Sequence, residues 1–159
     1  MLAAGIFAAS AAEATIDFSQ QGWSNEFELT ASTPIGDSGI SVAFAKGEGT
    51  TVPKYYTSGT AVRMYSGNTM TLAVPQGTTV TNIAMKLASQ TYNFADDNTS
   101  YSASTGTFTA DPKTAKTGAW TGTATEDLVL SLVNKQNTAK KWPQLRIVSM
   151  TVTYTAGVE

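Results

Sequence analysis

Residues 145–155 read Leu-Arg-Ile-Val-Ser-Met-Thr-Val-Thr-Tyr-Thr, and the spacing of apolar side chains along them decides the fold class. Side chains on a strand point to opposite faces in turn, so an apolar residue at every second position marks a strand with one buried face. Leu145 and Ile147 fall in one phase; Val148, Met150, Val152 and Tyr154 fall in the other. One extra residue between them, in a β-bulge, returns the apolar row to a single face. The same signature recurs upstream. Ile40, Val42 and Phe44 alternate with Ser41, Ala43 and Ala45, Met70, Leu72 and Val74 alternate with Thr69, Thr71 and Ala73, and Leu128, Leu130 and Leu132 form a further row. Val80 is out of phase with Ile83, Met85 and Leu87, a second slip of the same kind. Shorter strands are expected at 16–19, 61–65, 92–94, 106–110 and 120–123.

Turn-forming clusters separate these runs, among them Pro34-Ile35-Gly36-Asp37, Gly47-Glu48-Gly49, Ser66-Gly67-Asn68, Pro75-Gln76-Gly77 and Asp111-Pro112. Gly supplies positive φ, Pro a fixed φ, and Asn or Asp a side chain that closes the turn on its own backbone. About eight to ten short strands so punctuated, with no helical period of useful length, indicate an all-β protein built as an antiparallel β-sandwich. Connections of unequal length favour a jelly-roll-like arrangement over an even up-and-down barrel.

The 159 residues suffice for one domain with a sizeable core, expected over 15–159. Ahead of it, an apolar run from Leu2 to Ala9 leads into Ala12-Glu13-Ala14 before Thr15. This A-x-A pattern makes residues 1–14 a candidate secretory signal segment; the other reading is an N-terminal strand or helix that stays on the protein. Charged residues make up 14% of the chain, against roughly 25% in soluble proteins generally, and Ser and Thr fill 40 positions. Such a composition belongs to extracellular β-proteins, so a secreted or cell-surface location is expected. With 10 basic and 12 acidic residues the net charge is -2, which offers no cationic patch for nucleic acid. Cys and His are both absent. Disulfides, thiol nucleophiles, imidazole or thiolate zinc sites and His-based triads are thereby excluded, and no cofactor is expected. No stretch after Thr15 approaches the ~18 apolar residues of a membrane-spanning helix.

Several segments in order carry a family likeness: Ile16-Asp17-Phe18, Gly22-Trp23, Val42-Ala43-Phe44-Ala45-Lys46-Gly47, Pro53-Lys54-Tyr55-Tyr56, Ala61-Val62-Arg63-Met64-Tyr65-Ser66-Gly67-Asn68, Trp120-Thr121-Gly122 and Leu145-Arg146-Ile147 leading into Val152-Thr153-Tyr154. Together they resemble a secreted β-sandwich module recurrent in surface proteins and lipoproteins of gut Bacteroidota. The resemblance implies a galactose-binding-like or jelly-roll sandwich, exported and often attached to larger surface proteins, without a transferable catalytic signature.

Lys54, Tyr55, Tyr56, Arg63 and Tyr65 form the leading candidate site. If Val62 and Met64 point inward, Arg63 and Tyr65 share the opposite face, with Lys54, Tyr55 and Tyr56 reaching them from the preceding loop. Aromatic rings stack on the C–H faces of sugars, and a guanidinium offers a planar fork of donors to hydroxyls or a carboxylate. The competing reading buries Tyr55 and Tyr56 and lays the Arg63 stem over apolar surface. Of Trp23, Trp120 and Trp142, Trp142 is expected to be the exposed one, since it follows Lys140-Lys141 and precedes Pro143. Asp96-Asp97-Asn98 and Asp17 contain oxygen ligands, yet lack calcium-site spacing and read as ordinary turn and strand residues, so no metal site is assigned. The acidic pairs Glu26 with Glu28 and Glu126 with Asp127 have no catalytic motif around them, and no enzyme activity is expected. The reading is a non-catalytic extracellular binding module, most naturally for glycans or another surface ligand. The alternative is a structural or adhesive surface subunit that self-assembles through strand edges or its N-terminal segment.

Overall fold

The computed structural model describes residues 10–90, 98–137 and 139–157. Its strands are β1 (Ala12–Asp17), β2 (Phe27–Glu28), β3 (Thr33–Pro34), β4 (Ser41–Ala45), β5 (Lys54–Tyr56), β6 (Ala61–Met64), β7 (Thr69–Ala73), β8 (Thr78–Leu87), β9 (Tyr101–Ala103), β10 (Thr107–Asp111), β11 (Thr117–Ala124), β12 (Leu128–Leu132) and β13 (Leu145–Ala156). They form two antiparallel sheets. One runs β10-β11-β8-β13-β6-β5-β2, with β1 also paired to β13; the other runs β3-β4-β7-β12-β9. The all-β sandwich expected from the alternation is the fold. Among the described residues, helix is limited to the single 3₁₀ turns Phe18–Gln20 and Asn98–Ser100, and no helix is long and apolar enough to cross a membrane.

β13 organises the larger sheet. β8 lines one of its sides from Ile147 to Ala156; the other side is shared by β6, opposite Leu145 to Ile147, and β1, opposite Ser149 to Tyr154. Ala12, Glu13 and Ala14, the A-x-A pattern, thus pair with Tyr154, Thr153 and Val152 as the first half of β1. Ile147 faces Leu87 and Ser149 faces Lys86, so Val148 is the extra residue of a bulge. The expected phase change is present, with one correction: Val148 is itself the bulge and only half-buried, and the inward row resumes at Met150 and Val152. Tyr154 packs half-buried at the rim of the core. The second slip falls at Thr81, which is skipped between the Asn82–Thr153 and Val80–Tyr154 pairs, so that Val80 and Ile83 both point inward.

Between the sheets, Ile40, Val42, Phe44, Met70, Leu72, Leu128, Leu130 and Leu132 from one side meet Val62, Ile83, Met150 and Val152 from the other in one buried cluster. Burial of each such side chain contributes roughly 1.5–3 kcal/mol. Trp120 belongs to this core, with no exposed surface, and its indole N–H donates to the Thr105 carbonyl at 2.7 Å. The ring is clamped by Gly106 and Gly122, where a Cβ would lie 2.8 Å from it.

Strand ends differ in detail from the alternation. β1 stops at Asp17 because that carboxylate accepts from the Ser19 backbone N–H at 2.9 Å and folds the chain into a 3₁₀ turn. The segment 54–56, expected as a loop, is strand β5, held between β2 and β6. The expected strand at 92–94 lies outside the described residues.

Candidate functional site

On β5, the inward position belongs to Tyr55, opposite Val62 of β6. Period two then sends Lys54, Tyr56 and Arg63 to the face turned away from the core. Cross-strand register extends that face into one row across four strands: Glu28 opposite Lys54, Lys54 opposite Arg63, and Arg63 opposite Arg146. The Lys54 ammonium lies 3.6 Å from a Glu28 carboxylate oxygen. The Arg63 guanidinium stacks on Tyr56, with its Cζ 3.8 Å from the ring centroid, an arrangement that fits a cation over an aromatic face. Arg146 donates from Nε to Gln144 Oε1 at 3.0 Å. Burial lowers the Arg146 pKa from its ordinary value, and the positive charge of Arg63 lowers it further.

Tyr65 follows β6 directly and donates its hydroxyl to the Tyr56 hydroxyl at 3.1 Å. Burial pushes its phenol up to about 12, helped by the Tyr56 hydrogen bond and opposed by the charge of Arg63. The position of Tyr65 is set by the turn it opens. Asn68, fully buried, accepts the Tyr65 backbone N–H at 2.8 Å and donates to the carbonyls of Lys46 and Thr51 at 3.0 and 2.8 Å. That turn lies against the loop after β4 so closely that a Cβ on Gly47 would sit 2.2 Å from the Gly67 carbonyl oxygen. Only glycine fits there, and Gly47 also has φ +59.

Beside this cluster opens a cleft of about 500 Å³, lined by Thr51, Tyr65, Ser66, Asn134, Trp142 and Gln144 among others. Asn134, another of its lining residues, is tied to the glycine loop by donating to the Glu48 carbonyl at 3.0 Å. Trp142 is 46% exposed. Tyr65 and Gln144 form the boundary between cleft and cluster: each lines the cleft and each bonds a side chain of the aromatic and cationic row.

Of the residues singled out in the sequence, Lys54, Tyr56, Arg63 and Tyr65 converge, and Trp142 lines the same cleft as Tyr65. Tyr55 does not join them. It is buried in the core, with its ring edge-on to Trp23 at 5.7 Å, because its parity is opposite to that of its neighbours. Arg146 and Gln144 were not anticipated. The signal for Arg146 was available, since it alternates with Leu145 and Ile147 as Arg63 does with Val62 and Met64. Trp23 is stacked on Phe27 at 5.3 Å and packs half-buried against the core.

The acidic residues have local roles. Asp127 accepts the Val74 backbone N–H at 3.1 Å, Glu28 meets Lys54, Asp17 caps the 3₁₀ turn, and Glu26 sits exposed in a left-handed turn at φ 63. Asp96 and Asp97 lie outside the described residues. No protein-family model matches the chain, and no curated protein or solved structure matches it either.

Proposed function

We propose that the protein is a non-catalytic module, exported to the cell exterior, that binds glycans in the cleft between Tyr65 and Trp142. The observation that carries this reading is Trp142: a large ring, 46% exposed at the edge of a 500 Å³ cleft, where burying it against the core would have removed far more apolar area from water. A sugar ring presents C–H groups to such a surface, while Thr51, Ser66, Asn134 and Gln144 offer hydroxyl and amide groups to its hydroxyls. Export is supported by the low charge content and the abundance of Ser and Thr.

A glycan array probed with the intact chain, followed by titration calorimetry on the hits, tests the proposal. A shallow sugar site implies dissociation constants from about 1 μM to 1 mM. Trp142→Ala should weaken binding by roughly 1–3 kcal/mol and leave the melting temperature close to that of the parent, because the side chain is half in water already. No glycan binding, or equal binding by Trp142→Ala, overturns the reading.

A further inference from the structure

Along the row Glu28, Lys54, Arg63, Arg146 the signs run minus, plus, plus, plus, and only the first pair is neutralised, at 3.6 Å. Arg63 and Arg146 stand directly opposite each other on β6 and β13, and like charges so placed repel. A guanidinium has no accessible neutral form with which to escape that repulsion. Its usual remedy is a carboxylate, and among the described residues neither guanidinium has one, although the chain holds 12 acidic residues against 10 basic ones. What surrounds the pair is neutral. Tyr56 offers Arg63 a π face, Gln144 offers Arg146 an amide oxygen, and Tyr65, with its phenol at about 12, carries no charge at neutral pH. Arg63 Nε is buried without any acceptor, which leaves the charge of that group still less compensated.

Resting on the glycan reading, we infer that the ligand is an acidic saccharide whose carboxylate or sulfate is held at the Arg63–Arg146 pair while its sugar lies along the adjoining cleft. Tyr65 and Gln144 make the two regions one site, because each belongs to the cleft wall and to the hydrogen-bonded surroundings of a guanidinium. Carboxylates and sulfates accept from guanidinium groups in charge-assisted bonds. The cationic pair is isolated on a chain of net charge -2, which matches one acidic substituent on a sugar and not the continuous phosphate track of a nucleic acid.

Titration calorimetry on the intact chain tests this with four probes: an oligouronate of four sugars, the same oligomer as its methyl ester, a sulfated galactan oligomer, and poly-glutamate of similar length. Either acidic saccharide should bind at least about tenfold more tightly than the ester, and which of the two binds better assigns the group as carboxylate or sulfate. Arg146→Gln should bring the affinities for acid and ester together, erasing the preference for acid. Arg63→Gln should do the same; if it fails to fold because Arg63 packs on Tyr56, Arg146→Gln decides alone. Equal affinity for acid and ester, or a neutral sugar as the only ligand, overturns the inference and leaves the glycan reading standing. Poly-glutamate binding as well as the acidic saccharides removes the sugar from the inference and overturns it. Failure of every saccharide, neutral ones included, overturns both.

Discussion

Asn68 shows how one side chain can hold a site together. Its amide joins the end of β6 to the loops at Lys46 and Thr51 through three hydrogen bonds of 2.8 to 3.0 Å, with no exposure to solvent. Two of the groups it places, Tyr65 and Thr51, form walls of the cleft. Asn68→Ala would take that partner from a backbone N–H and two carbonyls in part-buried positions, at a cost on the order of 3 kcal/mol. Urea denaturation should show a midpoint lowered accordingly with little change in slope. A variant within about 0.5 kcal/mol of the parent would mean that water or a shifted backbone replaces the amide. In the sequence, Ser66-Gly67-Asn68 is legible as a turn and no more. The turn-forming preference of Asn is local, whereas its partners Lys46 and Thr51 lie more than a dozen residues away and are found only once the strands have paired.

Strands were legible in proportion to their length and to the one-sidedness of their burial. β4, β7, β12 and β13 each span five residues or more with a buried row on one face, and period two stands out in all of them. β2 and β3 contain two residues each and β9 three, too few for a period to register. They exist because a neighbouring strand offers unpaired backbone groups. β5, at three residues, has the sequence appearance of a loop for the same reason, which hides the inward direction of Tyr55. The β10–β11 hairpin shows how side-chain chemistry can set a connection. The Asp111 carboxylate accepts from the backbone N–H groups of Thr114 and Ala115 at 2.9 and 3.1 Å, and these bonds hold its pKa below the ordinary value of 3.8. A carboxyl with a depressed folded pKa stabilises the fold above its unfolded pKa, and that contribution is lost as pH falls through the folded value. Asp111→Ala should therefore lower the melting temperature at pH 7, and the gap between variant and parent should close as the pH is taken below 3.8 toward 2. A gap that persists unchanged at pH 2 would assign the loss to something other than the carboxylate charge.

At the scale of the whole molecule the two sheets have no separate cores. Val42, Leu72 and Leu130 of the smaller sheet and Val62, Ile83, Trp120 and Val152 of the larger one belong to a single buried cluster, and the row of Lys54, Arg63 and Arg146 on the face turned away from the core leaves that cluster untouched. The site itself was only partly legible because its residues are spread from Lys54 to Arg146 along the chain; parity assigns each to a face, and only sheet order brings Arg63 beside Arg146. The shared core makes unfolding of the two sheets one event. Val152 is the most direct place to test this, since it is fully buried on β13 at the centre of the larger sheet and flanked by β8 and β1. Val152→Asp buries a carboxylate without a partner, at a cost of several kcal/mol, a large share of the roughly 5–15 kcal/mol that stabilises a domain of this kind. The variant should be unfolded or melt far below the parent. In the parent, tryptophan fluorescence, with Trp120 in the larger sheet, and far-UV circular dichroism, which reads both sheets, should trace coincident thermal transitions. A Val152→Asp protein that keeps part of its β signal after the Trp120 environment is lost would show that the smaller sheet stands by itself, and the single-core account would fail.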